Sequence, residues 1–181
     1  GAGGAQREEQ LGKAIWSRLK ERGAVHVDAR GEASSANALR GLASASRGGA
    51  RVVEFHVSWT TDGDARWLRF HALPGQQWNA FKKDLGRLLP LSASARTDFG
   101  QLAKAVKARR REEGTTTVEC AVADGAALYG VAKALAELPR ICGRRVAVRC
   151  VAAMPRPDAL GVHVWLDPLE PHAGRAGGAD A

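Results

Sequence analysis

Apolar and polar residues alternate along this chain with two different periods, and the order of those periods occurs twice. From Arg7 to Arg22, Leu11, Ile15 and Leu19 recur every four residues with Trp16 beside them, which predicts an amphipathic helix that Gly23 ends. "AVHVDAR" then sets Val25, Val27 and Ala29 against His26, Asp28 and Arg30, the two-residue period of a strand. "GEASSANALRGLASASRGG" places Ala33, Ala36, Leu39, Leu42 and Ala43 on one helical face and closes on Gly48 and Gly49. Two further strands, "RVVEFHVSWT" and "ARWLRFHAL", flank "TDGD", a hairpin signal.

The second half repeats that order. "TDFGQLAKAVKARRREEG" predicts a helix with Thr97 or Asp98 as its N-cap and Gly114 as its stop. "TTTVECAVA" is a strand, and "DGAALYGVAKALAEL" is a second helix with Asp124 as the cap candidate. "RRVAVRCVAAM" and "ALGVHVWLDP" form a closing pair around the tip "PRPD". Leu11 aligns with Leu102, Lys13 with Lys104, Ile15 with Val106, Arg18 with Arg109 and Gly23 with Gly114. Leu42 then aligns with Leu135, Val52 with Val146 and Pro74 with Pro168. Such self-similarity is the signature of a duplicated module.

The expected organisation is an α/β protein, an α+β sandwich of two tandem modules, at 7–74 and 89–168. A connector helix is expected at 75–88, carrying Trp78, Phe81, Leu85, Leu88 and Leu89, with flexible tails at 1–6 and 169–181. "LPLSAS" reads as a strand opening the second module, which makes it βαβαββ. The first module lacks that strand, because "GAGGAQREEQ" does not alternate. As the chain begins at Gly1 and not at Met, the missing strand is expected to have lain upstream.

Charge narrows the partners. The 181 residues hold 27 Lys and Arg against 19 Asp and Glu, a formal net charge of +8. Arginine outnumbers lysine, and its planar fork suits phosphates and carboxylates, so nucleic acid leads the expected partners. In "KARRREE", Arg109, Arg110 and Arg111 end a helix, where cations favour the dipole; a solvated helix end and a phosphate patch are both open readings. Trp59 and Trp67 are candidates for stacking on bases, with cross-strand aromatic pairing as the other reading.

Other chemistries find little support. Cys120, Cys142 and Cys150 form no CxxC and read as reduced thiols of an intracellular protein. His26, His56, His71 and His163 lack ligand spacing, so no metal is expected, and no cofactor either. There is no GxSxG, P-loop, HExxH or paired-carboxylate motif, so no enzyme and no catalytic residue is expected. No apolar run approaches the roughly 20 residues that cross a bilayer, so no membrane partner is expected.

The order βαβαββ, with "VHVDARGEASSANAL" at the strand-to-helix junction, resembles the Alba superfamily, and within it the stage V sporulation protein S type. The resemblance spans most of both modules, and Ala29-Arg30-Gly31 is its most specific piece; the second module reads Ala123-Asp124-Gly125 there. It implies a compact dimer laying a basic face on DNA or RNA, here as an internal pseudo-dimer of the two halves. Mapped residue by residue, it implies contacts from the loop before the first helix (Arg7 and Arg96) and from the junction (Arg30). The hairpin arms would add Arg66 and Arg69, then Arg144, Arg145, Arg149 and Arg156. The expected function is phosphate-directed nucleic-acid binding, RNA ahead of DNA. The rival is a non-catalytic docking subunit contacting protein subunits of a ribonucleoprotein such as an organellar ribosome.

Overall fold

The structure is a computed structural model that describes residues 2–46, 51–75, 89–113, 115–143 and 146–168. Within them, four helices lie against one seven-stranded mixed sheet, an α+β sandwich. In chain order the elements are α1 (Ala2–Arg22), β1 (Val25–Ala29), α2 (Glu32–Ala45), β2 (Val53–Asp62) and β3 (Ala65–Pro74). Then come β4 (Leu91–Ser92), α3 (Phe99–Glu113), β5 (Thr115–Ala121), α4 (Gly125–Cys142), β6 (Val146–Arg156) and β7 (Ala159–Pro168). No helix among the described residues is long and apolar enough to cross a membrane.

The sheet runs β1-β3-β2-β6-β7-β5-β4, so six of its strands mirror each other about the β2–β6 contact, β1-β3-β2 against β5-β7-β6, with β4 added at one edge. There Glu54 pairs antiparallel with Val151 and Phe55 with Cys150. Antiparallel pairing points the C-terminal ends of β2 and β6 in opposite directions, which sends the two hairpin tips to opposite ends of the sheet. Among the described residues, only the second half has a strand outside its first long strand: β4 pairs parallel with β5 through Leu91 and Val118.

Alternation decides which face is buried. Val53, Phe55 and Val57 of β2, Leu68, Phe70 and Ala72 of β3, and Cys150 and Ala152 of β6 face the helices and are all 2% exposed or less. Leu39 and Leu42 of α2 and Leu128, Leu135 and Leu138 of α4 complete a single apolar cluster drawn from both halves. α2 packs on β6 and α4 on β2, so each half's second helix crosses to the other half's strand. A Leu or Phe fully buried in this way contributes roughly 2–3 kcal/mol. α1 and α2 approach so closely that a Cβ on Gly12 would lie 2.9 Å from the Ala45 backbone nitrogen.

Element boundaries depart from the sequence reading at several points. α1 starts at Ala2, so the expected tail at 1–6 is mostly helix and Arg7 lies inside that helix, not in a loop before it. α4 continues through Pro139 to Cys142, past the expected end at Leu138. In the second hairpin, Pro155 and Arg156 belong to β6, and the register shift between Ala153 and Arg156 absorbs the proline, which has no N–H for the ladder. The first hairpin turns on Gly63-Asp64 with Gly63 at φ 56°. The expected connector helix at 75–88 and the tail at 169–181 lie outside the described residues, apart from Gly75.

Candidate nucleic-acid interface

The two strand-to-helix junctions differ in how the helix end is satisfied. At the second, Asp124 is the N-cap of α4 and its Oδ1 accepts a 2.9 Å bond from the Ala127 N–H. That carboxylate is an anion built into the positive end of the helix dipole. At the first, Gly31 is the N-cap of α2 and offers no side-chain acceptor. Its φ of 83° is a left-handed value that favours glycine. The nearby hydroxyls do not substitute: Ser34 Oγ donates to the Arg30 carbonyl at 2.6 Å, and Ser35 Oγ to the Gly31 carbonyl at 2.7 Å. The first N–H groups of α2 therefore have no side-chain acceptor at their cap, and exposed Arg30 stands beside them.

Arg30 and Arg66 share an arrangement. The Arg30 guanidinium carbon lies 4.5 Å from the centre of the Trp67 ring, and that of Arg66 lies 3.9 Å from the centre of Trp59. Trp67 pairs with Thr60 and Trp59 with Leu68, so neighbouring positions in the ladder put the two indoles on opposite faces of the hairpin. They are not a cross-strand aromatic pair. Trp67 is 7% exposed, which leaves it no open face for a base, and Trp59 is half-buried beneath Arg66. The Trp59 indole N–H is buried without a hydrogen-bond partner among the described residues. That of Trp67 lies near enough to Asp28 to lower its pKa, without reaching hydrogen-bond geometry.

Three of the remaining expected cations, Arg69, Arg149 and Arg156, are met by carboxylates. Arg69 donates two bonds, of 2.7 and 2.8 Å, to the two oxygens of Asp28. That pairing, ahead of opposing desolvation, holds the Asp28 carboxyl below its ordinary value. Arg149 reaches Asp167 at 2.5 Å and Glu54 at 3.6 Å. Arg156 pairs with Glu119 and lies 3.8 Å from Asp158. Arg96 is exposed in the loop before α3, and Arg7 is exposed on α1. Arg144 and Arg145 lie outside the described residues. In the "KARRREE" run, Lys107 Nζ donates to the Ile141 carbonyl at 2.6 Å and Arg109 donates to the Leu89 carbonyl, so both are engaged by backbone.

Two clusters escaped the sequence reading. Arg18 and Arg22, one turn apart on α1, line a cleft of about 510 Å³ with Ala24, Val25 and His26. His26, His71 and His56 stand in register across β1, β3 and β2 on the face away from the helices, their rings 4.5 and 4.8 Å apart. Burial, then the neighbouring imidazoles, hold His56 below its ordinary pKa, and burial followed by His26 does the same for His71. Only strand pairing creates this row; its spacing along the chain carries no signal. Among the described residues, no group of three or more His, Cys, Asp or Glu is arranged to hold a metal ion. Burial raises the Cys120 thiol to about 11 and Cys150 further, so neither supplies a thiolate near neutral pH.

Comparison of the chain with protein-family models, curated proteins and solved structures returned no match.

Proposed function

We propose that this protein binds nucleic acid, RNA ahead of DNA, by holding backbone phosphates at the Arg30-Gly31 end of α2, with Arg66 of the adjoining hairpin as a second contact. The observation that carries this reading is the contrast between the junctions: the Asp124 side chain caps α4 through the Ala127 N–H, whereas α2 begins at a glycine with no side-chain cap, with exposed Arg30 before it and Glu32 in its first turn. A helix end with unmet N–H groups and a neighbouring guanidinium suits a phosphate oxygen on both charge and hydrogen-bond grounds. The mirrored order of six strands supports two halves related by duplication and packed as a pseudo-dimer. RNA is put ahead of DNA only on the use of this fold order in RNA-associated proteins, since the covered tryptophans offer no stacking platform.

The neutralised state of Arg69, Arg149 and Arg156 favours a second reading, a non-catalytic docking subunit of a ribonucleoprotein whose charged surface meets protein. Fluorescence anisotropy with labelled RNA and duplex DNA separates the two. Phosphate binding requires affinity at low salt that falls steeply as salt rises. No binding at low salt overturns it and favours the docking subunit.

A further inference from the structure

Three of the chain's five histidines, His26, His71 and His56, form one row across the sheet on its face away from the helices. His26 and His56 are exposed, and His71 is half-buried between them. His163 has a hydrogen-bond partner, since its Nδ1 lies 2.7 Å from Thr117 Oγ1. None of the three in the row has one among the described residues; their imidazoles meet only one another.

The carboxylates that share this face already meet arginines. Asp28 of β1 is held by Arg69 of β3, Glu54 of β2 faces Arg149 of β6 at 3.6 Å, and Arg149 also holds Asp167 of β7. Farther off, Glu119 of β5 is paired with Arg156. Cations flank both ends of the row. Arg149 precedes Cys150, the partner of Phe55, which sets it beside His56, and Arg18 and Arg22 of α1 line one cleft with His26. A proton taken up by the row therefore meets like charge, and burial adds to that penalty at His56 and His71. A phosphate lying across the row removes the penalty, because it supplies the missing anion and accepts the imidazolium N–H groups.

The row also lies in line with Arg30. His26, Asp28 and Arg30 are two residues apart and face one way, as Trp67, Arg69 and His71 do on β3, and the Arg30 guanidinium lies over Trp67. Four residues of strand separate Arg30 from the row, about 13 Å, with the neutralised Arg69–Asp28 pair between them.

We propose that the His26–His71–His56 row is a second phosphate site, which holds the backbone of a nucleic-acid strand running on from Arg30 and does so with its imidazoles protonated. The proposal rests on the nucleic-acid reading above and adds a pH dependence to it. In the free chain the row is largely neutral at neutral pH, and a bound phosphate favours the charged imidazoles. Binding therefore takes up protons, so affinity rises as the pH falls.

Fluorescence anisotropy with a labelled oligouridine, whose bases take up no proton in this range, tests it at about pH 7.5 and about pH 6.0 at one salt concentration. Wild-type affinity should rise about fivefold or more at the lower pH. A chain carrying both His56→Gln and His71→Gln should bind like wild type at the higher pH and gain less than about twofold at the lower. His56→Lys, at an exposed position, carries its charge at both pH values and should bind severalfold more tightly than wild type at the higher one. Circular dichroism at both pH values checks that the variants fold. Wild-type binding at the higher pH without a rise at the lower overturns the site alone, whereas no binding at either pH overturns the nucleic-acid reading and the site together. A folded double variant that keeps the wild-type rise also overturns the site, as does a folded His56→Lys chain that binds no more tightly than wild type at the higher pH.

Discussion

Asp124 Oδ1 accepts the Ala127 N–H at 2.9 Å, closing an end of α4 whose counterpart on α2, at Gly31, has no side-chain cap. Losing such a cap costs about 1 kcal/mol, so Asp124→Ala should lower the melting temperature by a few degrees. It should leave nucleic-acid affinity within about twofold of wild type. Gly31→Ala forces an alanine to φ 83° and should cost at least about 1 kcal/mol. Thermal melts of the two variants check both values.

The shared core predicts one unfolding transition. Phe55 of β2 and Leu135 of α4 come from different halves, are each 2% exposed, and lie in one cluster. Phe55→Ala should cost about 3–5 kcal/mol and move the whole melt, by calorimetry and by far-UV signal alike. Two separated transitions would mean that the halves fold independently.

Stability should fall as the solution is acidified from pH 7. Burial lowers His163 to about 4, with Thr117 Oγ1 at 2.7 Å from its Nδ1, and His56 and His71 are lowered as well. A depressed imidazole stays neutral in the folded chain while the unfolded chain takes up a proton below the ordinary value of 6.5. The loss therefore begins near that value and, for His163, is complete below about 4, amounting to about 3 kcal/mol. Asp28, held low by Arg69, adds a further loss at still lower pH. Urea titrations at stepped pH should show a slope that flattens in a folded His163→Gln chain.

The hairpin arginines should divide into two groups. Arg69 and Arg156 are paired with carboxylates at partly exposed positions, where solvent screens the pair, so Arg69→Ala and Arg156→Ala should each change stability and affinity little. Arg66→Ala should uncover Trp59, shift its fluorescence, and weaken RNA binding severalfold. Anisotropy titrations beside emission spectra read both effects.

Periodicity made the order of elements legible, because the residues that set it, such as Val53, Phe55 and Val57, face one side and are buried. The Asp124 cap and the glycine turn at "TDGD" were legible too, since each rests on local backbone chemistry. The pairing of charges was not. Arg69 finds Asp28, and Arg156 finds Glu119, through strand register, which depends on residues 37 or more positions apart. The His26–His71–His56 row has the same origin. Periodicity started the first helix at Arg7 and the family resemblance put Arg7 in the loop before it, whereas the helix begins at Ala2, since the polar start of α1 lacks the apolar stripe by which a helix is read.

The most direct measurement is the salt dependence of RNA affinity for the wild-type, Arg30→Glu and Asp124→Ala chains, by anisotropy between about 50 and about 200 mM salt. Wild-type affinity should fall steeply with salt, Arg30→Glu should bind about tenfold more weakly at low salt with a shallower slope, and Asp124→Ala should follow wild type. Equal affinities for Arg30→Glu and wild type would contradict the assignment of the α2 junction as the phosphate contact.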